Sequence, residues 1–267
     1  MEKNNENVAI VVSSCDLYSD CWNPLFCSLN KNLIHCSLPI YLICNEKNEM
    51  FDGVENIRVG EHLGWGSNTK KALNQISAEY VLLIQEDYFL NKELTTDVLL
   101  SHVDYCREHC IDYLRLGEPF RDVYPTDNPR YCKDPVGLKY SLCLQPAIWK
   151  KETLQRFTID GWTGWDYERN INKYIVEQNI NINSAVINSS YSTKYGYNMV
   201  KGTGIRKGIW TQGGLRFLKE NGFEEEIKGR GHEGKFLSAM MDVEDGSFLK
   251  LPARIIVRII QKSKGLI

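Results

Sequence analysis

The sequence predicts an α/β fold: an open, mainly parallel sheet with helices on both faces. Three features carry that expectation: short apolar β-branched runs of strand length, helix-length stretches between them, and polar clusters where the runs stop. Val8-Ala9-Ile10-Val11-Val12 is the first run, as expected of a strand covered on both faces. It breaks at Ser13-Ser14-Cys15-Asp16, and Asp20 stands where it can N-cap a helix running through Trp22 to about Leu33. Residues 40–44 make a second strand, and Ile57-Arg58-Val59 a brief third. Gly64-Trp65-Gly66-Ser67 then turns the chain, with Ser67 or Asn68 as cap for a helix through Ile76. Residues 80–84 form the most hydrophobic strand, which stops at Gln85-Glu86-Asp87. A helix over residues 95–109 leads to another strand over 111–116. Ligands of such sheets bind at the carboxyl ends of the strands. If the ends at Ser13–Asp16 and Gln85–Asp87 are neighbours, they flank one crevice.

The second half is less regular. Residues 140–149 read as a strand running into a helix start, and 165–176 as a helix behind the turn Gly161-Trp162-Thr163-Gly164. From 189 to 214 the chain is rich in Gly, Ser, Thr, Asn and Tyr, which suggests an ordered but mobile loop over a site.

At 267 residues the chain has room for one large domain or one plus an appendage. With 43% hydrophobic and 25% charged residues it has a globular composition, which excludes disordered, collagen-like and disulfide-scaffold classes. The net charge of −2 argues against a general nucleic-acid binder. That total is uneven. No acidic residue follows Asp245, while Lys250, Arg254, Arg258, Lys262 and Lys264 do, so the tail is +5 and the rest −7. Nine irregularly spaced cysteines behind the sequence MEKNNENVAI, which has no apolar signal core, lead us to expect reduced thiols and a cytoplasmic protein. No stretch reaches the ~18 apolar residues of a membrane span.

Two adjacent carboxylates, Glu86 and Asp87, cannot pack in a core, and anionic oxygens at a strand end suit a hard cation such as Mg²⁺ or Mn²⁺. Such a cation bridges and stabilises a departing nucleotide diphosphate. A solvated turn is the plainer alternative. Gly161-Trp162-Thr163-Gly164-Trp165-Asp166-Tyr167-Glu168 puts two acids at a helix start among flat aromatic faces suited to sugar rings. Either acid can serve as a base if it reaches an attacking hydroxyl; both can also simply stabilise the helix terminus. Lys201-Gly202-Thr203-Gly204-Ile205-Arg206-Lys207-Gly208 is no Walker loop, yet it can fold over a diphosphate with Lys201, Arg206 or Lys207 supplying charge, or be a plain exposed loop. His102, Cys106, His109 and Cys110 share one helix but lack a second pair with zinc-site spacing, so they read as an ordinary helix face. In residues 248–264 a basic residue recurs every fourth position against an isoleucine-rich remainder, the pattern of an interfacial membrane helix or of a tail docking on the acidic body.

The stretch from Gly66-Ser67-Asn68-Thr69-Lys70-Lys71-Ala72-Leu73 to Ser77-Ala78-Glu79-Tyr80-Val81-Leu82-Leu83-Ile84-Gln85-Glu86-Asp87 resembles the core of nucleotide-sugar-dependent glycosyltransferases of the GT-A fold, family 2-like, of the bacterial polysaccharide biosynthesis type. Residues 161–168 resemble the acceptor-side motif of the same enzymes. The resemblance implies a GT-A-like domain over residues 1–245, with a Rossmann-like, mainly parallel sheet, followed by a basic amphipathic tail over 246–267. It implies that Asp87 holds the metal-binding place of an Asp-x-Asp motif, with Glu86 in the middle place near the ribose and Gln85 replacing the first Asp. Lys70 stands where the family has Asn and Thr69 where it has Arg. Ser13, Ser14 and Asp16 lie where the family grips base and ribose. Asp166 takes the place of the base and Glu168 is the fallback.

The activity implied is transfer of a sugar from a nucleotide diphosphate sugar to a saccharide or lipid-linked acceptor. It would be inverting, assisted by Mn²⁺ or Mg²⁺, with residues 248–264 touching the inner face of the membrane. Two other classes stand beside it. A sugar nucleotidyltransferase should carry a glycine-rich basic loop after the first strand, and Ser13–Asp20 has neither glycine nor base. A non-catalytic membrane-attached carbohydrate-binding protein would not need Glu86, Asp87 or Asp166.

Overall fold

The computed structural model describes residues 7–120, 122–200 and 203–234, and the chain divides into two compact units at Met199/Val200. The first unit begins with β1 (Val8–Ser13), whose six residues are all buried. A 3-10 turn (Asp16–Cys21) leads into α1 (Trp22–Asn32). Asp20 therefore lies inside the turn rather than capping the helix, whose N-cap is Cys21, without a side-chain bond. β2 (Leu33–Ile34), β3 (Ile40–Cys44) and β4 (Val54–Arg58) follow. α2 (Trp65–Leu73) starts three residues earlier than the Ser67 cap predicts, because Gly64 is the N-cap and turns the chain at a φ of 93°. Then come β5 (Tyr80–Gln85), β6 (Leu94–Thr95) and α3 (Thr96–Glu108), the last capped by the Thr95 hydroxyl. β7 (Tyr113–Arg115), β8 (Tyr124–Pro125) and β9 (Tyr131–Lys133) precede β10 (Ala147–Lys150). The expected strand at 140–149 thus forms only in its last residues. Tyr140 adopts a φ of 64°, which is incompatible with a strand. α4 (Lys151–Phe157), α5 (Gly164–Glu177), β11 (Ser184–Ile187) and α6 (Ser189–Tyr195) complete the unit.

Nine of these strands form one sheet in the order β4-β3-β1-β5-β10-β7-β11-β9-β8. Its larger half is parallel: β3 lies beside β4 and β1, and β1 beside β5. β7 and β11 are also parallel. β10 runs antiparallel between β5 and β7. Alternation of strand and helix did not foretell this reversal, because the chain wanders from 116 to 146 before returning. Ala9, Val11, Val81, Leu83 and Trp149 on one face of the sheet pack against Ala72 and Leu73 of α2, Leu154 and Phe157 of α4, and Ile171 and Ile175 of α5. Gly66 permits this: a Cβ there would overlap the Ile159 backbone.

The second unit, as far as Gly234, has β12 (Ile205–Arg206), β13 (Ile209–Trp210), α7 (Gln212–Glu220) and α8 (Glu224–Arg230). The stretch 189–214 is therefore not one loop: it holds α6, the start of α7 and a hairpin. In the hairpin Lys207 and Gly208 both take positive φ, as a two-residue mirror-image turn requires. Lys201, Gly202 and the tail over 246–267 lie outside the described residues.

Candidate active site

β1 and β5 stop together, with Ser13 in register with Gln85. The two polar clusters thus share one edge of the sheet, at the carboxyl ends of parallel strands. Ser13 is buried, and its Oγ accepts the indole N–H of Trp65 at 2.9 Å. Ser14 Oγ accepts from the Trp22 indole at 2.7 Å. A hydroxyl that accepts from an indole keeps its own hydrogen to donate, and Ser14 directs its hydrogen at the Cys15 carbonyl over 3.4 Å, a long bond that a ligand oxygen could replace. Asp16 is used differently. Its carboxylate accepts from the amides of Asn45 (2.8 Å), Glu46 (2.9 Å) and Lys47 (3.0 Å), pinning the loop after β3. Burial pushes its pKa up, but the Glu46, Asn45 and Lys47 amides outweigh this and hold it below the usual range.

The turn after β5 is fixed from several sides. Tyr88 N–H donates to the Gln85 carbonyl (3.2 Å), Leu90 N–H to Ser28 Oγ (3.0 Å), and Tyr197 OH to the Tyr88 carbonyl (2.7 Å). Glu86 is only 8% exposed. Burial and then the Glu86 charge push the neighbouring Cys15 thiol up to about 11. Asp87 is half-buried. The Tyr88 phenol is raised first by burial and then by Asp87, Glu168, Cys143 and Glu86, so three carboxylates act on one buried ring.

The two acids of α5 have separate surroundings. Asp166 closes a capping box: its Oδ2 accepts from Thr163 N–H (3.0 Å) and Oγ–H (2.6 Å), while its own N–H donates to Thr163 Oγ1 (3.1 Å). The Thr163 side chain and amide hold its pKa below the ordinary value. Glu168 points inward, and its Oε1 accepts the Leu144 amide at 2.6 Å. Burial pushes its pKa up to about 7 against the opposing pull of that amide and of Arg115. Lys70, on α2, pairs with Asp160 at 2.8 Å on the surface. Arg206 lies in the second unit, 3.7 Å from the fully buried Glu233.

Among the described residues, no group of three His, Cys, Asp or Glu side chains is arranged to hold a metal ion. The donor set fits Mg²⁺ or Mn²⁺ in one way. Asp87 offers a hard carboxylate oxygen, and the remaining ligands would have to come from diphosphate and water, as is usual for Mg²⁺ in nucleotide sites.

No protein-family model and no curated protein matches the chain. Among solved structures it is similar to residues 1–349 of Staphylococcus aureus TarS, with 16% identity over 85% of this chain and 67% of that one and a TM-score of 0.47. A longer TarS structure, of which the chain spans 42%, has 15% identity over 90% of this chain and a TM-score of 0.46. TarS has been solved with UDP and with UDP-GlcNAc. The chain is also similar to a CMP-2-keto-3-deoxy-manno-octonic acid synthetase complexed with CTP, with 10% identity over 82% of this chain and 99% of that one and a TM-score of 0.45. A mainly parallel sheet with polar strand ends, in which β10 and β9 run antiparallel to their neighbours, is its own architecture. The fold is α/β, with a mainly parallel central sheet flanked by helices.

Sequence reasoning missed Trp22, Trp65, Tyr88 and Arg115. Arg115 had a readable signal, since a charge inside an apolar strand needs a buried partner. That partner is Asp134, at 2.9 Å, with both side chains at 0% exposure. Of the four residues expected to share one helix, only His102 and Cys106 lie within α3, since His109 is its C-cap and Cys110 follows at a positive φ; His102 and Cys106 are core residues. His102 sits between Tyr131 OH and the Tyr195 carbonyl, each at 2.8 Å, and burial lowers its pKa to about 4. All nine cysteines are free thiols. No helix among the described residues is long and apolar enough to cross a membrane.

Proposed function

We propose that the chain is a glycosyltransferase moving a sugar, with inversion, from a nucleotide diphosphate sugar to a saccharide or lipid-linked saccharide. The observation that carries this reading is the meeting of two kinds of group at one place. Hydroxyl, carboxamide and carboxylate side chains (Ser13 and Ser14, Gln85, Glu86 and Asp87) lie at the ends of β1 and β5, and the charges of Asp87, Glu86 and Glu168, whose pKa is near 7, all bear on the same buried Tyr88.

On this reading the donor lies across the two strand ends, with Ser13 and Ser14 donating hydrogen bonds. Asp87 would hold a divalent cation, which supplies charge neutralisation for the leaving diphosphate. Glu168 takes the proton of the acceptor hydroxyl. The freed oxygen pair then attacks the anomeric carbon opposite the diphosphate, and the carbon–oxygen bond to the diphosphate breaks with its electrons leaving on phosphate. A carboxylate near 7 suits that work, because a general base is most effective when its pKa lies close to the operating pH. Glu168 therefore replaces Asp166 as the preferred base, since Asp166 is occupied by its cap. Residues 248–264 as a membrane contact belong to the same proposal.

Calorimetry with UDP-, GDP- and dTDP-sugars, with and without Mn²⁺, tests it. At least one donor should bind, and more tightly with Mn²⁺; no binding to any of them sinks the reading. Release of pyrophosphate from a nucleoside triphosphate and a sugar phosphate would point to nucleotidyl transfer instead.

A further inference from the structure

Phe120 and Tyr140 are large aromatic residues left in solvent, 52% and 39% exposed, on the long excursion between β7 and β10. Their rings meet with centroids 5.8 Å apart at 57°. Isolated exposed apolar residues need no explanation, but this pair is braced from beneath. The Arg115 guanidinium, itself fully buried, lies 4.6 Å from the Phe120 ring and donates to the Tyr140 carbonyl at 3.0 Å. Its other end is locked to Asp134 at 2.9 Å. Tyr140 is held at a φ of 64°, a conformation that a bulky residue keeps only when its surroundings impose it. Lys139 Nζ sits 4.7 Å from the Tyr140 ring centre, so a cation flanks the pair.

The same segment continues into the site. Four residues beyond Tyr140, the Leu144 amide donates to Glu168, and the Arg115 charge also bears on that carboxylate. Four residues of chain reach at most about 14 Å. The pair therefore stands within about that reach of the segment that holds Glu168.

We infer that Phe120 and Tyr140 form an acceptor platform, stacking on the apolar C–H face of a pyranose ring of the acceptor saccharide; this rests on the reading of Glu168 as the acceptor-side base. The electron-rich faces of aromatic rings attract the weakly positive C–H groups that line one face of such a ring. Rings fixed before binding lose little entropy when the sugar arrives.

The test uses the full chain and an array of immobilised α- and β-linked oligosaccharides, with calorimetric donor binding measured in parallel. The wild-type protein should retain at least one oligosaccharide. F120A/Y140A should weaken that retention at least tenfold with an unchanged melting temperature, and F120W should restore a large part of it. Equal retention by F120A/Y140A overturns the inference. So does a wild-type chain that binds a donor but no oligosaccharide, while the transferase reading then stands. A wild-type chain that binds neither overturns both.

Discussion

Replacing Glu168 by Gln separates the roles of this side chain in the fold and in the chemistry. Its pKa moves from an ordinary 4.5 to about 7 through burial, opposed by the Leu144 amide and Arg115. The folded state therefore prefers the protonated acid, and the stability tied to it is fully present below pH 4.5. It is lost as pH rises from 4.5 through 7. At about 1.4 kcal/mol per tenfold change in proton affinity, ionising Glu168 costs the fold about 3 kcal/mol at full extent. The Gln variant keeps an oxygen for the Leu144 amide and carries no charge. Urea unfolding of both proteins from pH 4 to pH 8.5 isolates the group, because every other titration cancels in the difference. E168Q should match the wild type near pH 4 and exceed it by roughly 2–3 kcal/mol above pH 8. Under the proposed function the same variant should lose about 10²–10⁴ in transfer rate, and the wild-type rate should rise with pH through a limb near 7. A stability difference that stays flat across this range refutes the burial argument. A flat rate profile with an active E168Q refutes the assignment of the base.

Other substitutions probe neighbouring parts of the site. T163A removes the N-cap of α5 and should cost about 1 kcal/mol in urea unfolding while leaving the pH limb of the transfer rate in place; a displaced limb would mean that Asp166 takes part in the chemistry. D87N should fold as the wild type but bind a nucleotide sugar equally with and without Mn²⁺; a retained Mn²⁺ effect removes Asp87 from the metal role. G66A should destabilise by about 1–3 kcal/mol or more, because the new methyl must displace the Ile159 backbone; an unchanged melting temperature would show that α2 can move away.

The strands nearest the site were legible because hydrophobic burial writes itself into local sequence. The run 8–12 and the run 80–84 had to be strands covered on both faces, and both end in the polar residues that now share one edge. Their adjacency was not legible, since strand order depends on long-range pairing, and neither was the reversal of β10. The caps failed for a related reason. Asp20 and Ser67 are good capping residue types, but a 3-10 turn and the positive φ of Gly64 set the starts of α1 and α2. Asp16 has the residue type of a ligand contact, yet the fold spends it on three backbone amides, a use that only the three-dimensional position of residues 45–47 reveals.

The division of labour between Asp166 and Glu168 follows from helix geometry. Two residues along a helix turn a side chain by about 200°, so the two acids cannot face one pocket, although their proximity in sequence suggests it. Four residues turn it by about 400°, which returns Asn172 to the side of Glu168. Asn172 is buried and binds both backbone groups of Leu142, accepting from its N–H at 3.0 Å and donating to its carbonyl at 2.9 Å. Glu168 binds the amide of Leu144 two residues on. One face of α5 thus grips the segment that leads to β10, and Asn172 fixes the backbone against which the Glu168 carboxylate rests. N172A strands a buried N–H and a buried carbonyl, each worth about 1–3 kcal/mol, so the variant should lose about 2–6 kcal/mol of unfolding free energy. It should also free Leu144 from its place, take away the hydrogen bond that steadies ionised Glu168, and move the rising limb of the rate profile to higher pH. N172D separates these two effects. Its oxygens still accept from Leu142 N–H, but its added charge opposes that of Glu168 one turn away, so the limb should rise further while part of the stability returns. A limb that stays fixed in both variants would mean that Glu168 is steadied by Arg115 and burial alone, with α5 contributing only the rod that carries it.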